Sequence, residues 1–184
     1  MLPDLSDAVT AARELLGWKL IHNSPEGVTA GYIVETEAYT MEDPASHTFG
    51  GPTKRNAAMF EEAGTIYVYF TYGMHYCVNI VTGQKGHGQA VLLRALEPAD
   101  GIELMKQRRG TQISERLTNG PAKLVQAMGI SKEQYGKHLT TGTLRLEPGV
   151  TPSGIVQTTR IGIKKAIDQP WRFYVAGNRF VSKR

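Results

Sequence analysis

The sequence contains a single cysteine, Cys77, among its 184 residues. One cysteine cannot form an internal disulfide, and Cys77 lies in an apolar stretch, so we expect a buried thiol in a reducing compartment. No apolar run approaches the roughly 20 residues that a membrane helix needs. The segment Met1 to Asp7 also lacks the basic and apolar parts of a signal peptide. We therefore expect a soluble, unexported protein without membrane contact, in the cytoplasm or, in a eukaryote, the nucleus.

Several catalytic signatures are missing as well. The five histidines show no zinc-ligand spacing, and one cysteine cannot complete a zinc finger or a deaminase cluster. There is no phosphate-binding loop and no G-x-S-x-G nucleophile elbow. No lysine lies in a clearly apolar setting suited to Schiff-base chemistry. The sequence therefore implies no metal and no organic cofactor, and it offers no obvious lysine nucleophile.

Positive charge is modest overall but uneven along the chain. The net charge is +4, yet the segment from Arg160 to the end carries seven basic residues against one acidic residue, Asp168. A second basic cluster contains Lys106, Arg108 and Arg109. Such patches attract polyanions without specifying which one, and many are only solvated faces. Charge alone therefore leaves nucleic-acid binding as one possibility.

Hydrophobic spacing predicts alternating helices and strands in one domain, residues 1–184. Apolar residues at helical spacing predict an opening helix from Leu5 to Leu16, ending at Gly17. Residues 40–60 are predicted to form a long loop, and 131–152 are weakly patterned. Further helices are expected at about 99–109 and after Gly120-Pro121, where Asn119 could be the cap. Strands are expected at 18–22, 28–39, 65–72, 75–82 and 90–96, with a closing strand pair at 171–181.

The second strand carries two candidate acids. Alternation places Ile33, Glu35, Glu37 and Tyr39 on one face of the strand. Glu35 and Glu37 are therefore neighbours, and spacing alone cannot say which of them would do chemistry. Without further information, either would be interpreted as an exposed solubilising residue.

Several blocks of sequence together resemble a known family. They are E-T-E-A-Y at 35–39, Y-V-Y and Y-G-M within 67–74, L-L-R-A-L-E-P at 92–98, R-N at 55–56, G-P-A-K-L at 120–124 and R-F-Y-V at 172–175. In this order they resemble the alkyladenine, or 3-methyladenine, DNA glycosylase family, over about residues 12–184. Residues 131–159 match poorly, and the loop from Tyr39 to Arg55 is slightly shorter than in mammalian relatives.

The resemblance implies an α+β fold and a hydrolytic enzyme. The fold would be a curved antiparallel sheet with surrounding helices and a protruding, DNA-intercalating β-hairpin. The enzyme would be a monofunctional glycosylase of base excision repair, a monomer by default, acting on double-stranded DNA with a damaged purine. Its substrates would be 3-methyladenine, 7-methylguanine, hypoxanthine and ethenoadenine. Two alternatives are a non-catalytic module that binds damaged DNA, and an N-glycosidase acting on RNA or nucleosides.

The resemblance also assigns catalytic and base-binding residues. Its register makes Glu37 rather than Glu35 the general base, and Arg94 would help to fix the attacking water. An arginine between leucines on a strand would otherwise be interpreted as a structural ion-pair partner. The walls that stack on an extruded base would be Tyr39, His47 and Tyr69. Asn79 would lie beside the base, where it would clash with the 2-amino group of guanine.

The remaining assignments concern the DNA. Tyr72 would be the wedge that enters the minor groove and fills the gap left by the extruded nucleotide, with Met74 beside it at the hairpin turn. Thr53, Arg55 and Lys123 would contact the phosphate backbone, and Tyr67 would contact it or support the site.

Overall fold

One antiparallel sheet organises the protein in the computed structural model, which describes residues 2–71 and 73–183. Within this part of the chain the sheet runs in the order β3-β4-β5-β2-β1-β6, and β8 pairs with both β2 and β7. The strands are β1 (Lys19–Ser24), β2 (Gly27–Tyr39), β3 (Ile66–Thr71), β4 (His75–Val81), β5 (Ala90–Asp100), β6 (Leu144–Glu147), β7 (Ile155–Thr158) and β8 (Arg172–Val175).

Three helices accompany the sheet in the described residues: α1 (Ala8–Glu14), α2 (Ile102–Arg109) and α3 (Pro121–Met128). Short 3-10 turns lie at Ala57–Phe60, Ser114–Arg116 and Lys132–Gln134. The predicted α+β class and curved antiparallel sheet are confirmed. No described helix is long and apolar enough to cross a membrane.

The main core lies between the sheet and helices α1 and α3. The N-cap of helix α1 is Asp7, whose carboxylate accepts hydrogen bonds from the backbone N–H groups of Val9 and Thr10. Its alanines Ala8, Ala11 and Ala12 are fully buried. The core cluster joins them to residues of the sheet and of α3, among them Leu15, Ile33, Ile66, Leu93 and Leu124. Small side chains on α1 thus allow the helix to pack closely on the central strands.

Strand β2 lies in the middle of the sheet, between β5 and β1. Its first half pairs with β1, residues Glu35–Glu37 pair with β8, and nearly its whole length pairs with β5. All residues from Ile33 to Ala38 are buried. Both faces of this half of the strand are therefore covered, and any carboxylate on it must find partners inside the protein.

The prediction that Ile33 shares a face with Glu35 and Glu37 is wrong. The β2–β5 register shifts between Ile33 and Glu35 and again between Glu35 and Thr36. Ile33 packs in the main core with Ala38, whereas Val34 packs with Ala95, Phe180 and Val181. A bulge of this kind changes the alternation of side chains along a strand. Simple period-two counting cannot detect it.

Two helix starts also differ from prediction. Ala99 and Asp100 belong to β5 rather than to α2, because Asp100 pairs with Ala30 of β2. Helix α3 begins at Pro121, but its N-cap is Gly120, without a side-chain cap bond. Asn119 instead accepts a hydrogen bond from Lys123 Nζ at 2.9 Å.

The strand pair predicted at 171–181 also differs from the structure. Only Arg172–Val175 forms a strand, and its partner is β7, which lies earlier in the chain at Ile155–Thr158. Residues 176–183 pack on the sheet without strand structure. The weakly patterned region 131–152 contains the short strand β6.

Candidate active site

A cavity of about 500 Å³ opens beside the end of β2. Five of the predicted site residues line it: Tyr39, His47, Tyr69, Asn79 and Arg94. They come from β2, the following loop, β3, β4 and β5, so the fold gathers residues that are far apart in the sequence. The other lining residues are Pro44, Ala45, Met59, Tyr67, Thr71, Cys77, Leu92, Pro121 and the loop 161–165.

One wall of the cavity is a cluster of three aromatic rings. Tyr67 and Tyr69 point the same way because they alternate along β3, and their ring centroids are 5.6 Å apart. The imidazole of His47 meets Tyr69 edge-on at 4.5 Å, and His47 Nδ1 lies 3.0 Å from the Tyr67 hydroxyl. The ring of Tyr135, 6.1 Å from that of Tyr67, packs against the cluster, together with Ala58 and Met59.

The aromatic wall carries no charge near neutral pH. Burial of the ring, together with the positive charge of Arg55, lowers the pKa of His47 below its usual value. Burial raises the pKa of Tyr67 to about 12. Burial, with smaller effects from Cys77 and Glu37, also raises the pKa of Tyr69. A neutral imidazole and protonated phenols present flat, polarisable faces to the cavity.

The position of His47 is fixed by Asn56, a buried residue of the long loop. Asn56 Nδ2 donates to the carbonyl oxygens of His47 at 2.8 Å and Gly51 at 3.1 Å. Asn56 Oδ1 accepts from the backbone N–H of Thr53 at 2.6 Å. The asparagine of the R-N sequence block therefore holds the loop that carries His47.

Glu37 is fully buried behind the cavity surface, and its carboxylate has three donors among the described residues. Ile161 N–H donates to Oε1 at 2.7 Å, and the Tyr39 hydroxyl donates to Oε2 at 2.8 Å. Arg94 Nη1 lies 3.2 Å from Oε1. Glu37 itself does not line the cavity, but all three of its partners do. The Glu37 carboxylate therefore lies behind the cavity surface, in contact with three residues that form part of that surface.

Glu35 has a different environment. It receives Arg94 Nε at 3.1 Å, Arg172 Nε at 2.8 Å, and the Ser182 hydroxyl and N–H at 2.9 and 2.6 Å. A carboxylate offers about four acceptor positions. On each acid Oε2 has a single donor, Ser182 N–H on Glu35 and the Tyr39 hydroxyl on Glu37. The two acids differ in their surroundings: all three donors to Glu37 line the cavity, whereas Arg172 and Ser182 on Glu35 do not. Glu37 is therefore the acid whose free acceptor position lies next to the cavity.

Arg94 joins the two acids. Its Nε contacts Glu35 and its Nη1 contacts Glu37, and the residue is only 8% exposed. Burial alone would lower the pKa of Arg94, but the carboxylates of Glu37 and Glu35 more than offset this, and the net direction is upward. Arg94 therefore stays charged and is also the structural ion-pair partner that its strand position suggests.

Asn79 lies in the cavity floor, beside the aromatic wall. The residue is 4% exposed, and its Nδ2 donates to the carbonyl of Tyr67 across the strand pair at 3.2 Å. The neighbouring Cys77 is buried, as predicted, and burial raises the pKa of its thiol. Asn79 thus has a fixed orientation.

Four described residues that were expected to contact DNA, Met74, Thr53, Arg55 and Lys123, do not line the cavity. Met74 is 69% exposed at the turn between β3 and β4, and Tyr72 lies outside the described residues. Thr53 and Arg55 are exposed on the long loop, where Arg55 Nη2 donates to the carbonyl of Phe70 at 2.9 Å. Lys123 is half-buried on α3 and bonded to Asn119.

The loop from Arg160 to Lys165 is the part of the site that sequence reasoning missed. Ile161 lines the cavity and supplies a donor to Glu37, and Lys164 and Lys165 are exposed at the cavity. The contact to Glu37 comes from a backbone N–H, which leaves no side-chain pattern. The available signal was the excess of basic residues after Arg160. Among the described residues there is no His, Cys, Asp and Glu group that could hold a metal ion.

Comparison with known proteins identifies one family for this chain. Residues 4–179 match the model of the methylpurine-DNA glycosylases. A protein of Methanoculleus marisnigri assigned as a 3-methyladenine DNA glycosylase is 52% identical over 97% of this chain and 95% of its own length. Proteins with the same assignment from Carboxydothermus hydrogenoformans and Francisella tularensis are 47% and 48% identical, over 97% and 96% of this chain and 95% and 94% of theirs.

The family match and these relatives therefore identify the chain as an N-glycosyl hydrolase of the DNA glycosylase class. The chain belongs to the methylpurine-DNA glycosylase family, and the resemblance drawn from its sequence blocks is confirmed.

Proposed function

We propose that this protein is a monofunctional DNA glycosylase that extrudes an alkylated or deaminated purine from duplex DNA and hydrolyses its N-glycosidic bond. The products are a free base and an abasic site, the first intermediate of base excision repair. Candidate bases are 3-methyladenine, 7-methylguanine, hypoxanthine and ethenoadenine. The observation that carries the proposal is the acceptor position left on Glu37, directly behind an aromatic cavity.

The cavity suits a flat base. Because His47 and Tyr69 touch edge-on, a base would not enter between these two rings, and we place it between that pair and Tyr39, which also lines the cavity. Stacking on aromatic side chains contributes about 1–3 kcal/mol per base, which offsets the loss of neighbours when a base leaves the duplex. Alkylation at N3 or N7 makes the purine cationic, and a cation is attracted to an uncharged aromatic face.

Glu37 has the chemistry of a general base. Breaking an N-glycosidic bond passes through a sugar with oxocarbenium character, and a water must attack it as the purine leaves. A water bound to the free position of Glu37 Oε2 would lose its proton to the carboxylate. Arg94, at 3.2 Å from the same carboxylate, would help to hold the water. General-base catalysis contributes about 10²–10⁴-fold to a rate.

Duplex DNA would be held outside the cavity. The turn between β3 and β4 presents Met74 and carries Tyr72, which we propose as the residue that fills the gap in the stack. Intercalation costs a few kcal/mol and is offset by contacts to phosphates. Lys164 and Lys165 lie at one side of the cavity and, with Thr53, Arg55 and Lys123, provide candidate contacts.

The test is base release by the purified protein. Duplexes carrying hypoxanthine, ethenoadenine or 3-methyladenine are incubated with excess enzyme, and abasic sites are revealed by alkali. The proposal expects strand breaks only after alkali, and slower release from single-stranded DNA, RNA or free nucleosides. Binding of damaged duplex without release from any lesion would identify a binding module instead. Faster release from RNA or nucleosides would identify a different N-glycosidase.

A further inference from the structure

Arg160 is a buried cation that does not line the cavity. Its side chain and that of Asp43 are both 0% exposed, and they form an ion pair. Arg160 Nη1 also donates to the carbonyl of Ala38 at 2.9 Å. The guanidinium lies over the ring of Tyr39, 4.6 Å from its centroid, and over the ring of Trp171, at 5.1 Å. Arg160 Nη2 also donates to the carbonyl of Ala166 at 3.4 Å, so the guanidinium is enclosed by two aromatic rings, a carboxylate and two backbone carbonyls.

Stability is a poor explanation for this arrangement. A buried ion pair loses its hydration, and well-packed apolar residues often replace such a pair without loss of stability. Among the described residues, Arg160 Nε has no hydrogen-bond partner although it is buried. An unsatisfied N–H on a buried cation lowers stability further. The contacts of Arg160 are better explained by the segments of the chain that they position.

Arg160 holds together the three segments that surround Glu37. Through Asp43 it fixes the loop that supplies Pro44, Ala45 and His47 to the cavity. Through the Ala38 carbonyl and the Tyr39 ring it fixes the end of β2. The next residue in the chain, Ile161, donates its N–H to Glu37 Oε1.

Two of the three donors to Glu37 therefore depend on Arg160. The Tyr39 hydroxyl, 2.8 Å from Oε2, belongs to the ring on which the guanidinium stacks, and Ile161 N–H follows Arg160 directly. If these donors shift, the free acceptor position on Glu37 shifts with them. Misplacing a reacting group by about 1 Å can slow a reaction by about 100-fold.

We propose that Arg160 is a positioning residue: its guanidinium, clamped between Tyr39, Trp171 and Asp43, orients the carboxylate of Glu37 toward the cavity. This inference rests on the proposed catalytic role of Glu37. Arginine is specifically required because a planar guanidinium stacks and bonds at the same time, whereas a lysine ammonium is a compact point charge.

The test compares Arg160→Lys with a matched control, Arg108→Lys. Arg108 is also largely enclosed, 11% exposed, and pairs with Glu26 at 2.6 Å, but it lies on α2 outside the cavity. Three quantities are measured for each: the single-turnover rate on hypoxanthine duplex, the Kd for that duplex, and the Tm. Arg160→Lys is expected to lose about 100-fold in rate at unchanged Kd, while Arg108→Lys keeps the native rate despite a similar drop in Tm.

Two further variants distinguish positioning from general destabilisation. Trp171→Leu removes one of the two rings that stack on the guanidinium and leaves the ion pair with Asp43 in place. Its rate is therefore expected to fall, but by less than that of Arg160→Lys. This variant also replaces Arg160→Lys in the test if Arg160→Lys does not fold. In a double-mutant cycle with Tyr39→Phe, the combined rate loss should be smaller than the product of the single losses, because both changes disturb the same donor.

The inference is overturned if Arg160→Lys and Trp171→Leu retain the native rate, or if the cycle is strictly multiplicative. A Glu37→Gln variant separates this failure from failure of the proposed function. An inactive Glu37→Gln beside a fully active Arg160→Lys contradicts only the positioning role. An active Glu37→Gln contradicts the proposed function itself.

Discussion

Replacing Glu35 by Gln should destabilise the protein severely while leaving the free acceptor position of Glu37 in place. Glu35 is the shared counter-charge of two buried arginines, Arg94 and Arg172, at 3.1 and 2.8 Å. It also accepts two hydrogen bonds from Ser182, which anchor the end of the described chain. Glutamine preserves the shape of the side chain, removes the charge and offers an NH₂ group to donors that need an acceptor.

The expected loss follows from these contacts. Breaking a buried ion pair by removing one partner costs about 3–5 kcal/mol. For a protein of this size each kcal/mol lowers the Tm by about 2–4 °C, so the Tm should fall by about 10 °C. The assay is urea and thermal unfolding followed by circular dichroism. Glu147→Gln is the control, because the pair of Glu147 with Arg145 is half-exposed and should contribute at most about 1 kcal/mol.

The opposite result would contradict this reasoning. If Glu35→Gln unfolds at the native temperature, the buried charges are compensated in another way. If it also abolishes base release at native stability, Glu35 rather than Glu37 is the catalytic base.

Three smaller predictions concern specificity, DNA affinity and pH. Asn79→Ala should raise the release of guanine relative to hypoxanthine, because it removes a group fixed beside the aromatic wall; an unchanged ratio would remove Asn79 from base selection. Lys164→Gln should weaken binding to all duplexes alike and reduce the slope of log Kd against log salt by about 1; an unchanged slope would mean that no phosphate contacts Lys164. Burial of His22, with the charge of Arg108, lowers its pKa, so the unfolded state binds a proton first as the pH falls. The free energy of unfolding should therefore be intact above about pH 6.5 and decrease below it. Urea titrations should show a smaller decrease in His22→Gln than in the native protein. Equal decreases in the two proteins would contradict the assignment of this pH dependence to His22.

The sequence predicted the parts of the site that local pattern determines. The strand E-T-E-A-Y, the alternating tyrosines of β3 and the strand containing Arg94 formed as expected, because alternation and β-branched or aromatic residues specify strands directly. The gathering of Tyr39, His47, Tyr69, Asn79 and Arg94 around one cavity was expected from the family resemblance, since their separation along the chain gives no local signal.

Long-range and backbone features could not be predicted in this way. The bulge near Glu35 depends on the pairing of β2 with β5, and the partner of β8 lies earlier in the chain, at β7. The distinction between the two acids came from donors distant in sequence: Ser182 and Arg172 for Glu35, and Ile161 N–H for Glu37. Almost every residue carries a backbone N–H, so the contact from Ile161 to Glu37 leaves no mark in the sequence. In the sequence alone, the buried Arg160 also cannot be distinguished from the other basic residues between 160 and 184.

The most direct test of the central claim is a single-turnover comparison of the native enzyme with Glu37→Gln on hypoxanthine duplex, with DNA binding measured in parallel. Glutamine fits the same space but cannot accept a proton from water, so the rate should fall by at least about 100-fold while the Kd for the duplex stays at the native value. Release at the native rate by Glu37→Gln would show that the buried carboxylate is structural and that the catalytic base lies elsewhere.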